Sequence, residues 1–176
     1  MRCKKDKIFY GILIILISGY FLWNLRPVKI IRAGGYLDYD PRFSQGLFRG
    51  SERGFSDKIY YDIIVDHMPL TEWGRIHWYL DHKDELKKKY NIPASTSYYI
   101  TFWDIGGGFI DGDKSGDGDL ACFAKVDDSN ENCLEKNSLL SVNFDKGRWV
   151  EFHFNGCDNY WYIKPNGRPG LFYKTR

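Results

Sequence analysis

The sequence predicts an α+β protein: an N-terminal transmembrane helix followed by a mainly antiparallel sheet domain with one main amphipathic helix. Three observations carry that prediction. Residues 8–25 form an uncharged apolar run, a segment between Thr71 and Pro93 repeats apolar residues at helical spacing, and five strand-like runs follow Pro93 between turn signals. An aromatic content of 18%, mostly Tyr and Phe, favours strands over a helical bundle. The 176 residues have room for one ordinary domain plus an anchor. The expected layout is a basic cytoplasmic N-terminus over 1–7, a span over 8–25, a strand and Gly/Arg-rich loop over 26–57, and a periplasmic α+β domain over 58–176.

The span reads IFYGILIILISGYFLWNL, with Asn24 its single amide. At about 1.5 Å per residue it covers roughly 27 Å, enough for a bilayer core. Tyr10 near one end and Tyr20, Phe21 and Trp23 near the other suit headgroup level. Arg2, Lys4, Lys5 and Lys7 precede it densely, while Arg26, Lys29 and Arg32 follow more sparsely, which predicts an N-in, C-out helix in a bacterial inner membrane. A cleaved signal would need a small-x-small site after the run. Tyr-Phe-Leu-Trp-Asn-Leu-Arg-Pro stands there instead, so a retained signal anchor is expected.

Charge narrows the partners. Arg2, Lys4, Lys5, Lys7, Arg26 and Asp6 lie in or beside the span. From Pro27 onward the chain therefore keeps 20 of its 25 basic and 22 of its 23 acidic residues, a net of −2. That balance carries no footprint for nucleic acid. The expected partners are the lipid bilayer, through residues 8–25, and an unknown envelope protein.

Residues 28–32 (VKIIR) read as a short strand, 34–57 as a long loop without steady period, and 58–65 (KIYYDIIV) as a strand. The helix follows Pro69-Leu70. Thr71 is its N-cap, Glu72 is acidic in the first turn, and Ile76, Tyr79, Leu80, Lys83, Leu86 and Tyr90 form one stripe. Lys87, Lys88 and Lys89 complement the negative end of the helix, and Asn91-Ile92-Pro93 stops it. The lysine run fits a solvated last turn better than a binding patch. Strands are expected over 97–103, 120–126, 138–144, 149–155 and 159–164, with turns at 127–132, 145–147, 155–156 and 165–167. Residues 103–109 (WDIGGGF) read as a hairpin connection with positive-φ positions.

Cys122 and Cys133 flank a polar turn between strand-like pieces, a spacing compatible with a disulfide in an oxidising compartment. Two buried thiols are the alternative. Cys157 has no obvious partner, and Cys3 precedes the span.

No catalytic set emerges. There is no H-E-x-x-H, C-x-x-C or G-x-S-x-G, and His77 and His82 are five residues apart, off the i, i+4 chelating spacing. The balance therefore lies against an enzyme. One segment carries metal-ligand spacing: Asp111, Asp113, Ser115, Asp117 and Asp119 take positions 1, 3, 5, 7 and 9 of a loop with Gly116 at position 6. Its twelfth position is Cys122 rather than the closing Glu, so calcium is the only cofactor to consider, and weakly bound at that. An acidic hairpin tip is the bland alternative.

Several stretches resemble a family of enterobacterial membrane proteins known only as domain of unknown function 943. They are the anchor running into Leu25-Arg26-Pro27-Val28, residues 69–71 through 89–93, Ile100 to Asp104, Cys122-Phe123, and Asn132 to Asn137. The stretch 34–57 and the loop 111–119 depart from the pattern. The resemblance implies a membrane location and an enterobacterial source, and carries over no activity and no site residue. The expected function is a non-catalytic protein-binding role in the envelope, one version being an immunity factor against a toxin. A periplasmic enzyme with an unrecognised site, or a weak calcium-binding structural domain, stands as the alternative.

Overall fold

The computed structural model describes residues 2–35, 58–94, 96–116, 119–123, 131–146, 148–155, 160–164 and 169–172. Helix α1 runs Arg2–Leu25. Its 18-residue window Ile8–Leu25 has a mean hydropathy of 1.9 and none of it is buried in the protein, so the helix is long and apolar enough to cross a membrane.

Strands β1 (Ile30–Gly35) and β2 (Ile59–Val65) pair antiparallel. Helix α2 spans Glu72–Tyr90 and begins where Thr71, in extended conformation, accepts a hydrogen bond from Gly74 N. It ends at Asn91, whose φ of 55° places it in the left-handed region while its N–H returns to the carbonyls of Leu86 and Lys87. Strand β3 (Tyr98–Asp104) then pairs parallel to β2, a geometry that requires the long crossover α2 supplies. Strands β7 (Ser138–Phe144), β8 (Val150–His153), β9 (Tyr160–Ile163) and β10 (Pro169–Phe172) continue antiparallel, giving the order β1-β2-β3-β7-β8-β9-β10.

One phase of each strand feeds the core under α2. Ile63, Phe102 and Leu140 are cross-strand neighbours and all fully buried. Tyr61, Ile100, Val142 and Phe152 make the adjacent row. Trp78 and Tyr79 of α2 both set their rings edge-on to Phe102, and Tyr79 also meets Phe152. Within the predicted stripe, Ile76, Tyr79 and Leu86 are buried, Leu80 and Tyr90 half-buried, and Lys83 exposed. Lys83 is thus no part of the apolar face.

A second, three-stranded sheet lies against the other side of β2. Strands β4 (Ile110–Asp111), β5 (Leu120–Cys122) and β6 (Glu131–Glu135) pair in the order β4-β6-β5. Ala121, Phe123 and Leu134 pack there against Ile64, with Trp103, Ile105 and Phe109 at the margin. Residues 103–109 are not the hairpin connection expected from the sequence. Strand β3 pairs with β2 and β7 and never with β4, so this segment carries the chain from one sheet to the other. Positive φ at Gly106 (51°) and Gly108 (103°) allows the change of direction. A four-residue helix α3 (Gly112–Ser115) follows β4, and residues 131–132, expected in a turn, open β6. Strand β1 begins two residues later than expected, and the run expected over 120–126 is strand only to Cys122, with 124–126 outside the described residues. The turn 165–167 and residues 36–57 also lie outside them.

Candidate functional site

The polar phase of the large sheet builds the candidate site. With core residues at every second position, the intervening side chains all face away from α2. Strand register aligns them into two continuous rows. The first runs Tyr60, Tyr99, Asn143, Glu151, Tyr162 and Gly170; the second runs Gly34, Asp62, Thr101, Ser141, His153 and Tyr160. The rows are polar and aromatic, with Thr101 and Ser141 buried, and the face turns apolar at Ile64 and Trp103, where the small sheet packs.

Within the rows, Asn143 Nδ2 donates to Glu151 Oε2 at 2.8 Å, and His153 Nε2 lies 3.5 Å from the same oxygen. The His153 ring stacks on Tyr160 at 5.1 Å, Tyr60 meets Tyr99 at 5.8 Å, and Trp149 meets Tyr162 at 5.1 Å. Trp103 Nε1 donates to Asp62 Oδ1 at 2.6 Å where the small sheet begins. Burial, with the nearby Glu151 charge and Tyr162, pushes the Tyr160 phenol up, so it remains a neutral donor. Asn143 Oδ1 is buried with no hydrogen-bond partner among the described residues. Gly170 completes the first row because a Cβ there would stand 2.4 Å from Tyr162 Cζ; its absence lets the Tyr162 ring lie across the edge strand. Chemically the face offers aromatic surface, neutral donors and one carboxylate–imidazole pair. Ser141 is the register partner of His153, yet no hydrogen bond joins Ser141 Oγ to the ring among the described residues.

A second cluster fixes the domain to the end of α1. Arg26 Nη2 donates to Asp66 Oδ2 at 2.7 Å, and Lys29 N donates to Asp66 Oδ1 at 2.8 Å. The buried His67 ring lies between acceptors, with Nδ1 2.8 Å from Asp66 Oδ1 and Nε2 3.2 Å from the Arg26 carbonyl. Trp23 sets its ring edge-on to His67 at 5.3 Å and donates from Nε1 to the Met68 carbonyl at 3.2 Å. Burial pushes the Asp66 carboxyl up. The hydrogen bonds from Lys29 N and His67, with the charges of His67 and Arg26, more than offset that, and its pKa falls below the usual value.

The sequence-predicted residues are placed as follows. Asp111 caps α3, accepting from Asp113 N at 3.1 Å, and pairs with Lys114 at 3.0 Å. The Lys114 ammonium holds the Asp111 carboxyl below its usual pKa. Ser115 Oγ donates to the Gly112 carbonyl, and Asp119 pairs with Lys136. Asp117 lies outside the described residues, and among those described no three His, Cys, Asp or Glu side chains converge on a metal position. Cys122 and Cys133 are cross-strand partners on β5 and β6, bonded at Sγ with Cα atoms 4.0 Å apart. Cys157 lies outside the described residues. Sequence reasoning missed both the sheet rows and the Arg26–Asp66–His67 cluster. The signal for the rows was the polar phase of each strand, set at i, i+2: Tyr60/Asp62, Tyr99/Thr101, Ser141/Asn143 and Glu151/His153.

An apolar N-terminal helix ahead of a folded α+β domain defines a class, that of a membrane protein with one candidate span among its described residues. The family model for the enterobacterial putative membrane proteins, DUF943, matches residues 2–169, and the chain belongs to that family. No curated protein and no solved structure matches it.

Proposed function

We propose that this is a single-pass inner-membrane protein, N-terminus in the cytoplasm, whose periplasmic domain binds another envelope protein without catalysis. The observation that carries the binding role is the pair of polar and aromatic rows across the seven-stranded sheet. Tyrosine and tryptophan supply rigid contact area at low conformational cost and dominate binding energy at protein interfaces. The dense basic block before the span supports the orientation. The Cys122–Cys133 bond supports an oxidising compartment. Neutralisation of a toxin at the membrane is the version the small anchored format suggests.

The test places a photocrosslinking amino acid at Tyr99 or Tyr162 in living cells, with Lys83 on the exposed side of α2 as the comparison. A discrete adduct from the sheet positions and none from Lys83 is expected. Adducts that ignore position refute the face, and an alkaline phosphatase fusion after Arg176 that is inactive while intact refutes the topology. The 3.5 Å approach of His153 to Glu151 favours one second reading, an envelope enzyme using this pair. A hydrolytic activity of the purified full chain on envelope material that is lost in both His153→Ala and Glu151→Gln, with folding unchanged, would decide for it.

A further inference from the structure

A cavity of about 410 Å³ opens between the end of α1 and one side of α2, away from the sheet rows. Trp23 and Arg26 line it from the anchor, and Trp78, His82, Glu85 and Tyr90 from α2. The α2 residues sit three, four or five apart, so they form a stripe of their own beside the core stripe. The volume falls in the range of small-ligand sites. The cavity's place is fixed by the Arg26–Asp66 pair and the Trp23–Met68 hydrogen bond, which hold the last turn of α1 against the domain.

The lining carries one charge of each sign, Arg26, which is paired through one nitrogen with Asp66, and Glu85. The Arg26 guanidinium uses Nη2 on Asp66 and is otherwise about half exposed, leaving N–H groups of a fork that suits phosphate. Glu85 is exposed and has no hydrogen-bond or ion-pair partner among the described residues. His82 donates from Nδ1 to the Trp78 carbonyl at 2.7 Å and stacks on the Trp78 ring at 4.6 Å, so its Nε2 is spare. An anionic ligand would satisfy Arg26 and be repelled by Glu85; a cation would meet the reverse. A ligand carrying a phosphate and a primary ammonium on one short linker satisfies both.

The geometry points to a binding site for the headgroup of phosphatidylethanolamine, with its phosphate toward Arg26 and its ammonium toward Glu85. The inference rests on the reading of α1 as a bilayer span. If residues 8–25 cross the bilayer, Trp23 and Arg26 stand at its headgroup layer, where this lipid is presented from the side. Trp78 and Tyr90 then give the glycerol and upper acyl carbons an aromatic wall. The site would fix the height and tilt of the domain above the membrane.

The test uses the full chain in detergent micelles, titrated with equal amounts of phosphatidylethanolamine and phosphatidylglycerol and read by native mass spectrometry. The first retained lipid should be phosphatidylethanolamine, by roughly tenfold, the scale of one charged hydrogen bond. Glu85→Gln should bring the two lipids to near parity, and Glu85→Lys should reverse the preference. Asp84→Asn, also exposed on α2 and outside the cavity lining, should keep it. Equal retention by the native chain, or a Glu85→Lys variant that still prefers phosphatidylethanolamine, overturns the site. Flotation of the native chain with phosphatidylcholine vesicles separates the two failures. A chain that does not float overturns the span beneath the inference, whereas one that floats without lipid preference overturns the headgroup site alone.

Discussion

Replacing Asp66 with alanine should loosen the domain from the end of α1, by an amount that can be built from its three partners. The Arg26 guanidinium is 54% exposed, so its loss is worth at most about 1 kcal/mol after solvent screening. Lys29 N is exposed as a donor and recovers a water, so its net loss is about 0.5 kcal/mol. The imidazole of His67 is 4% exposed and loses the acceptor of Nδ1, which costs about 1 kcal/mol or more. Together these give about 2 kcal/mol, or a Tm lower by roughly 4–8 °C for a domain of this size. Thermal unfolding of the full chain in micelles measures it. In a His67→Phe background the same substitution should cost about 1 kcal/mol less, since the buried nitrogen is already gone. An Asp66→Ala variant within about 0.5 kcal/mol of the native chain, or strict additivity in the cycle, would refute the cluster as the joint. Acid provides an independent check. The folded pKa of Asp66 is depressed, so its contribution is present above the unfolded value of about 4 and is lost as pH falls through the folded one. The stability gap between the native chain and the Asp66→Ala variant should therefore hold above about pH 4 and close as pH falls below it, and a gap that persists unchanged in acid would refute the assignment.

Three further outcomes follow from the local geometry. A Cβ at Gly112 would stand 2.7 Å from Cys133 Sγ and 3.4 Å from Cys122 Sγ, and bonded sulfurs cannot rotate away. Gly112→Ala should therefore cost about 1–3 kcal/mol in denaturant unfolding of the oxidised protein. The deficit should shrink on reduction, and a deficit unchanged by reduction would refute the clash. Thr71→Ala removes the acceptor of Gly74 N and should cost about 1 kcal/mol, with loss of helical signal on heating as the check. Calorimetric titration with calcium should show dissociation constants no tighter than about millimolar, the weak end of extracellular sites. Asp111 is committed to Asp113 N and Lys114, and Asp119 to Lys136. Micromolar binding abolished by Asp113→Ala would overturn that expectation.

What the sequence made legible was whatever a short window can encode. Thr71, the Ile76–Tyr79–Leu86 stripe and the Asn91-Ile92-Pro93 stop bound α2 within twenty-three residues, and the apolar-rich run of β7, closed by Asp145-Lys146-Gly147, matches its expected limits, 138–144. The small sheet failed that test for a physical reason. Strand β4 has two residues, too few for any period, and β6 opens on Glu131-Asn132, which read as turn composition until pairing with both neighbours overrode it. Parallel pairing of β2 with β3 was equally invisible, because IYYDIIV and YYITFWD do not differ in pattern from antiparallel strands.

The candidate site lies further from local encoding still. Tyr60 and Tyr162 stand in one row only because five strands adopt one register, and no window holds both. Each strand nonetheless declared a polar phase in its own few residues. A single strand's alternation separates two phases without saying what the polar one meets. Once register is known, the polar phases of β2, β3, β7, β8 and β9 fall into line, and tyrosines recur among them at positions 60, 99, 160 and 162. Tyrosine suits strands on its own account, and Tyr60 and Tyr99 meet as a cross-strand pair, so it is the alignment of the rings across strands that marks this face. The same register that hides the rows from any short window gathers their rings on one side of the sheet, and that gathering is the ground on which the proposed binding role stands.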